Sequence, residues 1–121
     1  IDYGYLDNLM KDTMISIRKH KHANILNTFG NSDITYKLNF KFLEKITKNL
    51  KLKCQAITSQ RNFLISLGIQ KRAEILSKNL PFLKKADIYY RLKRLIDKDQ
   101  MGNLFKVMLI TNKNINFKIG F

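Results

Sequence analysis

The chain has 121 residues, 45% hydrophobic and 26% charged, with one Pro and five Gly, which is the range of a single compact domain and excludes a disordered tail. Its 23 Lys and Arg against 9 Asp and Glu give a net charge of +14, enough to attract nucleic acid or anionic surfaces non-specifically. No apolar run approaches the roughly 18 residues a membrane span needs, and Cys54, the one cysteine, excludes an internal disulfide and a cysteine-based zinc site.

Ile1-Asp2-Tyr3-Gly4-Tyr5 reads as the last residues of a strand running into a turn, with Gly4 permitting the sharp exit. The opening IDYGYLDN lacks the basic and then apolar profile of a signal peptide. An opening without Met, on a strand end, leads us to expect a piece of something longer. From Met10 to His22 two patterns compete: Ile15 and Ile17 alternate with Met14, Ser16 and Arg18 as in a strand, while Met10, Met14 and Ile17 fit a helical face. His20 to Ser32 is rich in Asn, Thr, Gly and Ser and predicts an ordered surface loop. Asn39 predicts the N-cap of a helix through about Leu50, with Phe42, Leu43, Ile46 and Leu50 on one face and Leu38 stapled to Leu43.

Leu52 to Ile57 predicts a short strand, after which Ser59 caps a brief helix that Gly68 stops. Ile69, Ala73, Leu76 and Leu80 give a second helical face ending near Pro81, and Ile88, Leu92 and Leu95 a third. The apolar run within Met101 to Thr111 has the length and type of a strand covered on both sides. The alternating tail Ile115 to Phe121 is compatible with an edge strand returning through residues 112–114 and with a frayed terminus. The basic clusters fall on different predicted elements: Lys41, Lys45 and Lys48 on one, Lys71 and Arg72 on the next, Lys84, Lys85, Arg91, Lys93 and Arg94 on another. With Lys, Asn and Ile abundant, as an AT-rich genome dictates, the charge reads as solvated faces rather than a nucleic-acid footprint.

No G-x-G-x-x-G, P-loop, H-E-x-x-H or G-x-S-x-G motif occurs. His20 and His22 are alternate residues without a third ligand nearby, so surface or substrate-facing roles outweigh metal binding. Asp33 and Thr35 either order the turn that precedes them or face a site. Asp2 and Tyr3 stand out by position, because ligands of open α/β sheets bind outside the carboxyl ends of strands. Cys54 reads as a small core residue.

Taken in order, several segments resemble the C-terminal part of the MidA-type methyltransferase family, which includes a mitochondrial complex I assembly factor that methylates arginine. They are IDYGY at the start, Arg18 to Asn24, Gly30 to Thr35 running into Leu38-Asn-Phe40, Thr58-Ser-Gln60 with Phe63-Leu64, Leu67-Gly-Ile69, and Asp99 to Val107. The resemblance implies an α/β fold, the C-terminal portion of a Rossmann-like S-adenosylmethionine-dependent methyltransferase, with an incomplete sheet and helices. IDYG would end the fifth strand, and 52–57 and 104–110 would form the closing pair. Residues 1–111 would belong to the methyltransferase domain and 112–121 would be a tail or edge strand.

In the family the adenosylmethionine sits on a Gly-rich loop and an acidic residue of earlier strands. The resemblance therefore implies S-adenosylmethionine as cofactor of the full-length protein, none for this piece alone, and no activity alone. Asp2, Tyr3 and Gly4 would border the cleft, and His20, His22, Asp33 and Thr35 would belong to the loop covering it. Asp2 and Asp33 suit a catalytic role, holding a guanidinium and accepting its proton. Asn39 departs from the Asp usual in relatives. The expected partners are a protein substrate, the N-terminal half of the methyltransferase and a second copy of the chain, with no membrane. A bacterial cytoplasm, or a mitochondrial matrix in a eukaryote, is the expected location. The competing reading is a small basic nucleic-acid-binding module.

Overall fold

A computed structural model describes residues 1–28, 30–116 and 119–121. In chain order the elements are β1 (Asp2–Tyr5), β2 (Ile15–Arg18), β3 (Lys21–Ala23), β4 (Asp33–Thr35), β5 (Leu38–Asn39), α1 (Phe40–Asn49), β6 (Lys53–Ser59), α2 (Gln60–Ser66), α3 (Ile69–Ser77), α4 (Phe82–Ile96), α5 (Met101–Leu104) and β7 (Phe105–Thr111).

The main sheet has the order β5-β1-β7-β6. β7 is antiparallel to both β1 and β6, so β1 and β6 run the same way and their carboxyl ends share one edge of the sheet. The expected closing pair is present, shifted by one or two residues. A register shift between Cys54 and Ala56 bends β6 at its start.

β5 pairs parallel with β1 only at Gly4 and Tyr5. Gly4 is buried within the strand rather than in a turn, and its φ is not positive. What requires glycine there is close packing: a Cβ would collide with the Leu38 carbonyl oxygen and stand 2.6 Å from Cε2 of Phe40. The expected sharp exit at Gly4 is therefore replaced by the approach of α1 and β5 to β1. α1 starts where Asn39 predicted, with Asn39 Oδ1 accepting from the amides of Lys41 (3.0 Å) and Phe42 (3.2 Å).

A second, three-stranded antiparallel sheet has the order β3-β2-β4. The ambiguous Met10 to His22 segment resolves as strand around Ile15 and Ile17, because two antiparallel neighbours can pair with it. Residues 20–32 are thus not wholly loop. β2 and β3 form a hairpin whose two turn residues, Lys19 and His20, both have positive φ (50° and 62°), the twist a two-residue hairpin favours. Ser16 on β2 is fully buried and donates to Ser32 Oγ at 2.8 Å.

Ser59 caps α2 by accepting from the Asn62 amide at 3.2 Å, and Gly68, at φ 78°, closes it and begins α3. α3 and α4 form a hairpin turning at Pro81, so two basic clusters expected on separate elements share one unit. The core is thin: among the described residues the buried apolar side chains are Phe40, Ala73, Ile96 and Val107. Of the alternating tail, Phe117 and Lys118 lie outside the described residues. The ring of Phe121 packs 5.2 Å from that of Phe63 on α2, and the described tail residues form no strand.

Candidate active-site cleft

The carboxyl end of β1 opens onto a cavity of about 370 Å³. Its walls are mostly apolar, with Tyr5, Met10, Met14, Tyr36, Phe42 and Leu43, and its polar groups include Lys11, Thr13, Lys37 and Asn39. Leu38 and Leu43, the expected staple, both line it. A cavity of about 480 Å³ lies elsewhere, between the start of α2, which follows the carboxyl end of β6, and the C-terminal part of α4. Both adjoin carboxyl ends of strands, and the cavity at β1, with its more apolar and aromatic walls, is the better candidate for a binding site.

The cavity's rim is fixed by hydrogen bonds from the 6–14 segment. The Lys11 amide donates to the Tyr5 hydroxyl at 3.0 Å, and Asn39 Nδ2 donates to the Leu9 carbonyl at 3.3 Å. Thr13 Oγ1 accepts from the Lys37 amide at 2.9 Å, joining this segment to the residues between β4 and β5. Lys11 Nζ lies 2.7 Å from Asp7, which holds the Asp7 carboxyl below its usual range and raises Lys11. Only Tyr36 and Lys37 separate β4 from β5, so the small sheet is leashed directly to the carboxyl end of β1.

Charge gathers beside this cleft. Lys37 Nζ stands 5.1 Å from the centroid of the Tyr3 ring, within cation–π range. Tyr3 also packs on Phe105 across the β1–β7 pair, with ring centroids 5.7 Å apart. Lys106 is paired in register with Asp2 and with Ser59. Partial burial lowers the Lys106 ammonium from its ordinary value, and Lys37 lowers it further; its Nζ donates to the Asn103 carbonyl.

The structure separates the residues singled out from the sequence into two groups. Asp2, Tyr3 and Gly4 are on β1, where Asp2 opens the strand rather than ending it and Tyr5 holds the carboxyl end. Asp2 is exposed, and its Oδ1 accepts from the Tyr3 amide at 2.7 Å. The other group is on the small sheet. Ile17 is opposite both His22 and Asp33, and Ile15 is opposite Thr35, so His22, Asp33 and Thr35 share one face. His20 lies apart, in the hairpin turn. Asp33 and Thr35 are strand residues rather than turn-ordering ones. None of these four lines the cavity at β1. Among the described residues no three His, Cys, Asp or Glu gather to hold a metal ion, and no helix is long and apolar enough to cross a membrane.

Tyr5, Lys37 and Lys106 escaped the sequence reading. Tyr5 carried the only available signal, as the last residue of the IDYGY motif. Lys37 sits between two very short strands whose pairing no periodicity announces.

The sheet order and this strand-end cleft are those of part of a Rossmann-like α/β fold, and comparison with known proteins agrees. Residues 1–58 match the family described as "Putative S-adenosyl-L-methionine-dependent methyltransferase". The "Protein arginine methyltransferase NDUFAF7, mitochondrial" of Danio rerio is 29% identical over 113 residues, 93% of this chain and 26% of that protein. Its Xenopus tropicalis counterpart is 29% identical over 106 residues, 87% of this chain and 24% of that protein. A Burkholderia thailandensis crystal structure of a "likely methyl transferase" bound to S-adenosyl-homocysteine superposes with a TM-score of 0.77. At 23% identity it covers 98% of this chain and 32% of its own. The chain is thus similar to S-adenosylmethionine-dependent methyltransferases of the MidA type. It spans about a quarter of the length of the curated relatives it matches.

Proposed function

We propose that this chain provides the closing strands and the substrate side of a methyltransferase that transfers a methyl group from S-adenosylmethionine to a protein arginine. The observation that carries the reading is antiparallel β7 between parallel β1 and β6, with the Asp2-Tyr3-Gly4 motif on β1. The relatives named protein arginine methyltransferases supply the substrate class.

The five glycines, at 4, 30, 68, 102 and 120, never stand two apart, so no Gly-rich turn of the dinucleotide type can form. The cofactor pocket is therefore assigned to sheet strands that a preceding polypeptide, in the same or a separate chain, would supply. What this chain contributes is recognition of a cation. The Tyr3 ring already accommodates the Lys37 ammonium, and a guanidinium is bound by the same attraction. Asp2, next to Tyr3, would hold that guanidinium and take up its proton; Asp33 sits apart on the small sheet and would approach it, with His20, His22 and Thr35, as part of the covering sheet. The relatives named mitochondrial favour a mitochondrial location in a eukaryote.

The test mixes the chain with the N-terminal portion of a relative and follows labelled methyl transfer to arginine peptides. D2N and D33N should each lower transfer by about tenfold or more. Wild-type rates in both variants would remove the carboxylates from the mechanism. Calorimetry of the chain alone with S-adenosylmethionine should show no heat; clear binding would place the cofactor pocket within these residues.

A further inference from the structure

The α3–α4 hairpin ends in an apolar tip that no described residue covers. Phe82 and Leu83 are 81% and 79% exposed, and neither lines any of the cavities described above. Lys78, Lys84 and Lys85 surround them in sequence, Lys78 and Lys84 exposed and Lys85 half-buried. Residues 69–96 hold eight basic and two acidic residues. Both acids are paired within their own helix, Glu74 with Lys71 at 2.9 Å and Asp87 with Arg91 at 3.0 Å.

The hairpin is anchored at its other end. Gln60 and Arg61 of α2 donate to the carbonyls of Leu95 and Ile96, the last residues of α4. Phe82 is fourteen residues earlier, about 21 Å along the helix, so the tip projects away from α2 and the sheet. The first turn of α4 has no capping side chain and no acidic residue. It carries lysines where the helix dipole is already positive, an arrangement that an anionic environment relieves.

We infer that this tip docks on the surface of an anionic lipid bilayer, with Phe82 and Leu83 entering the acyl boundary and Lys78, Lys84 and Lys85 on the headgroups. The surplus of positive charge selects an anionic occupant and disfavours a second copy of the same hairpin, which would bring like charges together. A projecting knob with an aliphatic Leu83 suits a soft apolar layer; a nucleic acid needs a groove with rings lying flat along it. This is attachment to a surface and differs from spanning, so it revises the expectation of no membrane partner without requiring a long apolar helix.

The chain contains no Trp, so F82W gives a single tryptophan at the tip, excited selectively over the tyrosines. Its emission should shift to the blue with mixed phosphatidylcholine and phosphatidylglycerol vesicles and stay unchanged with phosphatidylcholine alone. The charge-neutral F82S/L83S variant should bind the mixed vesicles about tenfold or more weakly, while L26S, altered at an 86% exposed leucine elsewhere, should bind as wild type. Equal binding of F82S/L83S and wild type would reduce the effect to net charge and overturn the proposal. A blue shift produced by single-stranded oligonucleotide, or by raising the protein concentration without lipid, would overturn it in favour of nucleic acid or self-association.

Discussion

Gly4 of β1 and Phe40 of α1 are packed so closely that a single added methyl group on Gly4 would lie 2.6 Å from the Phe40 ring. Phe40 is one of the few buried apolar side chains, and the same methyl would meet the Leu38 carbonyl, which belongs to the backbone of β5. Neither neighbour can yield without moving α1 or breaking the parallel pairing at Gly4 and Leu38. Gly4→Ala should therefore destabilise the chain by about 1–3 kcal/mol, read as a lower urea midpoint. An unchanged midpoint would mean that the contact relaxes freely and that glycine is not required here.

Asn39 has two separate tasks, which substitutions can divide. Its Oδ1 caps α1 and its Nδ2 reaches back to the Leu9 carbonyl. Asn39→Ala loses both and should cost about 1–2 kcal/mol. Asn39→Asp, which restores the residue usual in the family resembled, keeps the cap and adds a negative charge at the positive end of the helix, but loses the donor to Leu9. Asp should thus match wild type in thermal stability while amide exchange in residues 6–14 accelerates. If Asp is as destabilising as Ala, the Leu9 bond rather than the cap carries the stability.

The parts of this fold legible in the sequence are those that local rules determine. Asn39, Ser59, Gly68 and Pro81 each mark a helix boundary by their own chemistry, and the apolar run ending at Thr111 shows a strand. The small sheet was hidden because its strands have three or four residues and exist only by pairing with one another. The register that puts His22 and Asp33 on one face is a tertiary fact. Gly4 defeats local rules, which assign glycine to turns, because it makes room for a helix more than thirty residues away. Lys37 beside Tyr3 left no local trace.

The last turn of α4 depends on side chains from α2. Gln60, itself buried, donates to the Leu95 carbonyl at 3.0 Å, and Arg61 donates to that of Ile96 at 2.6 Å, satisfying carbonyls that a helix end leaves without partners. Gln60→Leu, close in volume but unable to donate, should cost about 1–3 kcal/mol and loosen the hairpin at its base. Hydrogen exchange is the discriminating measurement: protection should fall at the C-terminal end of α4 and remain at α1. Uniform loss of protection would show a global effect instead of a missing cap.

Cys54 lies at the bulged start of β6, half-buried. Burial pushes its thiol above the ordinary value, the Glu44 carboxylate adds to this, and Lys48 and Lys41 oppose it. A raised value means less thiolate at any given pH, so the rise of alkylation rate with pH should be displaced upward relative to a free thiol. The same shift fixes the sign for stability: the folded chain holds the proton more tightly, and that contribution is lost as pH climbs through the folded-state value. Glu44→Gln removes the second cause and should bring the rate profile back toward lower pH, whereas Lys48→Met should move it further up. A Glu44→Gln profile displaced upward would contradict the electrostatic origin, since only removal of a negative neighbour distinguishes that cause from burial.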